Sequence, residues 1–218
     1  MRFILALGLT GLAAAPAFAQ NIDSLRLGHR PLLPRDREIA LARSAAPPIV
    51  SDSATILVLG DSAYQVAVPG TNGNVCWVSR DWLDTIEPEC FDAEGAATVM
   101  QKERLHVELL HRGRSEAQAQ QAIADALRGG RLRPPRRPAL CYMMSPDQWL
   151  IDDKREVGGH WHSHLMIYYP NLTSADLGLG AGIAGTASVG WERTPWSALI
   201  VLLPDFTHPA NTAGTAPR

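Results

Sequence analysis

The stretch Ala54–Ser79, ATILVLGDSAYQVAVPGTNGNVCWVS, decides the fold. Ala54–Gly60 is apolar and rich in β-branched residues, and Tyr64–Val68 and Val75–Ser79 are further short apolar runs separated by polar and glycine-bearing segments. Runs of this length bounded by turn residues are strands. Asn72-Gly73 supplies the positive-φ residues that a tight reversal needs. The three runs therefore read as an antiparallel meander. In the last of them Cys76 and Val78 face one way and Val75, Trp77 and Ser79 the other, so both faces of the sheet carry apolar side chains.

Working outward toward the N-terminus, Pro34–Arg43 (PRDREIALAR) has the proline-first, acid-early pattern of a short helix that must stop before Pro47-Pro48. Residues 1–19 combine Arg2, an apolar run from Phe3 to Leu12 and the small-residue exit Ala17-Phe18-Ala19, which together form a secretory signal peptide. The apolar run is too short and too rich in alanine and glycine for a membrane span. Residues 20–206 are then expected to form a single domain and residues 207–218 a flexible tail. The formal charge of the chain is -2, and losing Arg2 makes it -3. A balance this close to zero argues against a nucleic-acid partner.

Downstream, Asp92 can cap a helix whose apolar stripe runs through Val99, Met100, Val107 and Leu110 and which ends at Gly113. Ser115 and Gln118 form a capping box for a second helix, Glu116–Leu127, closed by Gly129-Gly130. The two make an αα-hairpin. Arg128–Pro138, RGGRLRPPRRP, holds five arginines among glycines and prolines and cannot form a regular element. It reads first as a solvated linker and second as a patch for anionic ligands or a membrane surface. Ala139–Met144, Gly159–Tyr169 and Ser197–Leu203 complete the strands, the first two as neighbours, with Gly178–Gly190 as a surface loop. The whole is an α+β chain with a mainly antiparallel sheet, an αα-hairpin and a short N-terminal helix.

Export to an oxidising space makes the three cysteines informative, because an odd number leaves one over. Cys76 and Cys90 flank a short segment and are expected to pair. Cys141 sits in the apolar run ALCYMM and reads as a small buried hydrophobe.

The chemistry is expected in Gly158–Asp176, GGHWHSHLMIYYPNLTSAD, where His160, His162 and His164 alternate. In a strand these three share a face with Met166 and Tyr168, and Trp161, Ser163, Leu165 and Ile167 share the other, which reads as the core side. Same-face neighbours lie about 6.6 Å apart and positions four apart about 13 Å, whereas a metal–nitrogen bond is about 2.1 Å. One ion can therefore join His160 with His162, or His162 with His164, but not the outer pair. Asp176 is a further candidate ligand, as are Asp152, Asp153, Glu156 and His208, although the acids of the 152–156 loop also read as a solvated turn. Zinc or another transition metal is the expected cofactor. A polar structural cluster and a metal-free ligand site are the alternatives.

Two resemblances arise at these residues. PALCYMMSPDQWL and GGHWHSHLMIYYPNLTSADLG, with GTNGNVCWVSRDW and PECFD upstream, resemble a family of exported bacterial hypothetical proteins with a GHWHxHLM-type segment. That resemblance implies a periplasmic or extracellular location and no activity. Locally, His162-Ser163-His164 followed by Thr173-Ser174-Ala175-Asp176 is similar to the JAMM metalloprotease motif. The similarity implies zinc held by His162, His164 and Asp176, a metal-bound water as nucleophile, and an upstream glutamate as base. The expected functions are thus binding of a metal ion or small ligand, a metal-dependent hydrolase, or an interaction module without metal.

Overall fold

The computed structural model describes residues 32–80, 85–148, 150–151, 157–159, 162–179 and 186–207. Its strands are β1 Thr55–Leu59, β2 Tyr64–Val68, β3 Val75–Ser79, β4 Glu87–Phe91, β5 Ala139–Met143, β6 Leu150–Ile151, β7 Val157–Gly159, β8 His164–Tyr168, β9 Ala187–Gly190 and β10 Ala198–Leu202. The helices are α1 Arg35–Ser44, α2 Pro48–Ser51, α3 Ala93–Ala97, α4 Val99–His111 and α5 Glu116–Arg128. Eight strands form one sheet in the order β2-β1-β3-β4-β5-β8-β10-β9, and β6 pairs with β7 apart from it. The fold is α+β, and every neighbouring pair in the large sheet is antiparallel except β1 with β3.

That exception corrects the meander. β1 and β2 do form a hairpin, closed by Gly60 N donating to Ala63 O at 3.0 Å. The PGTNGN segment then carries the chain across the start of β1, so β3 lies on the other side of β1 and runs parallel to it, Thr55 beside Val75 and Ile56 beside Cys76. Asn72 and Gly73 make a turn within this crossing, with Gly73 at φ 79° and Asn72 Oδ1 accepting from Asn74 N. The crossing is tight at Gly70, where a Cβ would lie 2.1 Å from Thr55 N and 2.3 Å from the Ala54 carbonyl carbon. Gly70 is not among the glycines of positive φ, so the obstacle is steric. Gly70→Ala should cost about 1–3 kcal/mol, the usual penalty for overpacking. A urea melt checks this, and an unchanged midpoint would show that the crossing has room to give.

β4 is the strand that composition hides. Glu87, Pro88 and Glu89 are poor strand formers, yet every residue of β4 is buried. Cys76 and Cys90 face each other across β3 and β4 with Cα atoms 4.0 Å apart, the spacing of a non-hydrogen-bonded antiparallel pair, and a disulfide joins them. Pro88, two residues away opposite Val78, has the same phase, so its missing N–H would have pointed away from β3. On that side β4 pairs with β5 only at Cys90 and Phe91, and the proline costs no ladder bond.

Helices cover both faces. On one side α1 packs its Leu41 and Ala42 against Ile56, Cys76, Val78 and Cys90. On the other, Ala96, Val99, Met100 and Val107 from α3 and α4 pack on Leu57, Trp77, Phe91, Cys141, Met166 and Tyr168. Asp92 caps α3 by accepting from Gly95 N, and the helix expected to run on from there breaks at Thr98, whose φ and ψ of -132° and -85° are not helical. Ser115 and Gln118 form the expected capping box. α5 packs against α4 through Ile123, Ala126 and Leu105. Among the described residues no helix is long and apolar enough to cross a membrane.

Candidate functional site

The histidine segment differs from the expected strand in extent and in facing. β8 begins at His164, so His162 and Ser163 precede it, and His160 lies outside the described residues, as do Trp161, Asp152, Asp153, Glu156 and His208. Along β8 the buried positions are His164, Met166 and Tyr168, while Leu165 and Ile167 are only half-buried. The core side is therefore the histidine side. The reason is that α3 and α4 lie over this face, with Met166 and Tyr168 packed among Phe91, Cys141 and Met100. α1, on the opposite face, packs against β1, β3 and β4 at the far half of the sheet.

His162 and His164, two residues apart, differ in environment. His162 is exposed, and its carbonyl accepts a 2.7 Å hydrogen bond from His164 Nδ1. A carbonyl can only accept, so in neutral His164 the proton sits on Nδ1 and the lone pair on Nε2. Burial lowers the pKa of His164 below the ordinary histidine value and outweighs the carbonyl bond, which favours the charged ring. His164 is thus a neutral imidazole at pH 7 with its tautomer fixed. Between the two histidines Ser163 is buried, and among the described residues its hydroxyl has no hydrogen-bond partner.

The structure does not bring Asp176 to this place. β8 runs from His164 to Tyr168, a distance of about 13 Å. Asp176 belongs to the turn that leaves the Tyr168 end, where Asn171 N donates to Thr194 O and Arg193 N to Leu172 O. There its Oδ2 accepts from both Thr173 N and Thr173 Oγ1, bonds that hold the exposed carboxyl below its usual range. A single ion held by His164 is out of reach of Asp176. Among the described residues no three His, Cys, Asp or Glu side chains stand together as a metal-binding group.

The sheet register shows acids that the sequence pattern does not single out. Met143 pairs with His164, and continuing the β4–β5 register by one residue sets Glu89 opposite Met143. Glu89 therefore lies two strands from His164 on the same face, about 9–10 Å away at the backbone, and Glu87 follows two residues along β4. Both are buried, as is Glu103 on α4. Trp77 Nε1 donates to Glu89 Oε2 at 2.8 Å, which fixes that carboxylate against β3. Burial pushes the Cys141 thiol well up, and Glu89, Glu103 and Glu87 push it in the same direction. A thiol so placed is not a nucleophile. The signal that could have revealed β4 is its alternation: Glu87, Glu89 and Phe91 against Pro88 and Cys90, with Cys90 required to meet Cys76.

No protein-family model, curated protein or solved structure matches the chain.

Proposed function

We propose that this is an exported protein of the GHWHxHLM-type family, periplasmic or extracellular once residues 1–19 are removed, and that its His160–His164 segment binds a transition metal ion such as zinc. The observation that carries the reading is the state of His164. Its Nδ1–H is committed to a backbone carbonyl and its ring is neutral with the lone pair on Nε2, which is the tautomer metal-bound histidines adopt. The exposed His162 adjoins it as the second ligand, and between them the buried Ser163 hydroxyl has no hydrogen-bond partner among the described residues. The buried disulfide supports export, since such bonds persist in oxidising compartments.

A metal-dependent hydrolase is the second reading. What favours it is the tautomer-fixed His164 beside the exposed His162; the base that a metal-bound water would need is not Glu89, whose carboxylate Trp77 holds toward β3, away from β8. In that reading Asp176 is not a ligand.

The test is elemental analysis of the mature protein after chelation and reconstitution. About one zinc per chain is expected. His162→Ala, an exposed position whose loss leaves the core intact, should lower the affinity at least tenfold, the scale on which ligand-shell changes act. Failure of the wild-type protein to take up any transition metal overturns both readings.

A further inference from the structure

The arginine-rich segment that follows α5 is neither slack nor extended. Gly130, at φ 70°, turns the chain back, and Arg131 N and Leu132 N both donate to Ala126 O. Leu132 is buried against Ile123 and Ala126, and Pro135 is buried as well. One carboxylate, Glu94 at the start of α3, pins the rest. Its Oε1 accepts from Arg133 Nη1 at 2.8 Å and from Arg136 N at 2.9 Å, and its Oε2 lies 3.6 Å from Arg137 Nε. The hydrogen bond from Arg133 and then that from Arg136 hold the Glu94 pKa down to about 2, so the anchor stays ionised. A solvated linker needs no such anchoring.

What the anchoring achieves is to hold cations outward. Arg128 and Arg137 side chains are about two-thirds exposed, at 66% and 67%. Arg131 and Arg136 are exposed, and among the described residues their guanidinium groups have no ion pair. Five arginines (128, 131, 133, 136 and 137) less the carboxylates of Glu94 and Asp125 leave a local charge of 5 - 2 = +3, in a chain whose total is -2. No aromatic residue interleaves the arginines to stack on a base, and the apolar side chain of the segment, Leu132, points into the core. The exposed donors suit phosphate groups spread over a surface, met at headgroup level without insertion.

We infer that Arg128–Pro138 is a docking surface for anionic phospholipid headgroups, making the protein a peripheral guest of a negatively charged membrane face. The inference is independent of the metal reading. It is tested with the mature protein by co-sedimentation with vesicles of phosphatidylcholine alone or mixed with phosphatidylglycerol. Partition is expected only onto the mixed vesicles, and it should fall steeply with added salt. The variant Arg131→Gln/Arg136→Gln/Arg137→Gln, which leaves the Arg133 anchor on Glu94 in place, should partition about a hundredfold more weakly, three residues each acting at about 1 kcal/mol. The control Arg112→Gln/Arg114→Gln, between α4 and α5, should behave as wild type. Equal partition of the triple variant, or no partition of the wild type, overturns the proposal. So does tight binding of inorganic phosphate that displaces the protein from vesicles at constant ionic strength, because the ligand is then a free small anion. Stronger retention by duplex DNA than by anionic vesicles overturns it as well.

Discussion

Replacing Arg80 by methionine is expected to destabilise the fold by about 3–5 kcal/mol, the cost of breaking a buried ion pair from one side. Arg80 and Glu38 are each only 1% exposed, and Arg80 Nη1 lies 3.1 Å from Glu38 Oε1. The same Nη1 donates to Val78 O, and Glu38 Oε1 also accepts from Leu59 N, so the pair ties α1 to the ends of β1 and β3. Tyr64 completes the group. Its hydroxyl donates to Val78 O at 2.7 Å and lies 3.3 Å from Arg80 Nη1, and burial pushes the phenol well above its ordinary pKa, so it stays neutral. Among the described residues the pair is not fully satisfied, since Glu38 Oε2 and Arg80 Nε and Nη2 have no hydrogen-bond partner there. The net contribution of the pair is therefore far smaller than the cost of removing one member, because each charge has lost its water. The double variant Glu38→Leu/Arg80→Met should accordingly recover most of the loss. Urea melts of the two single variants and the double one form the cycle. Single-variant losses below about 1 kcal/mol, as at exposed pairs, would mean that water reaches Glu38.

This pair also marks where reading the sequence stops. Glu38 lies in a short helix that is legible from its proline start, and Arg80 follows a legible strand, but nothing local states that two charges 42 residues apart meet inside the core. Elements set by local chemistry are legible: α1, β1 to β3, the capping box of α5, and β5, β8 and β10. Elements set by tertiary context are not. β4 is a strand because β3 and the disulfide hold it, in spite of Pro88. β9 is a strand because it pairs with β10 at the sheet edge, in a segment whose glycines suggest a loop. The facing of β8 is hidden for the same reason. Alternation shows that His164, Met166 and Tyr168 share a face, but not which face the helices cover. His162 and His164 are legible as a pair in sequence, and Asp176 is legible as a residue of the same segment. The length of β8 between them is what separates it from the histidines.

Removing the disulfide should cost about 3 kcal/mol, the loop-closure value for a loop of this length. The sequence separation of Cys76 and Cys90 is 14 residues, and both are fully buried at the centre of the sheet. The bond matters because β4 is otherwise weakly held. Two of its five residues are glutamates and one is proline, and its ladder with β5 spans only two residue pairs. If β4 drifts, the buried face that Glu87 and Glu89 share with His164 comes apart with it. The variant Cys76→Ala/Cys90→Ala is expected to melt about 10 °C lower, at roughly 2–4 °C per kcal/mol for a chain of this size. Dithiothreitol should reproduce that loss in the wild type once the protein has been cycled through denaturant, and should leave the variant unchanged. A second measurement separates stability from site geometry. Because no β4 side chain is among the proposed ligands, the variant should keep its zinc affinity at temperatures where it is still folded. Full stability in the variant would show that β3–β4 pairing alone holds the strand, and a loss of zinc affinity in the folded variant would bring Glu87 or Glu89 into the site.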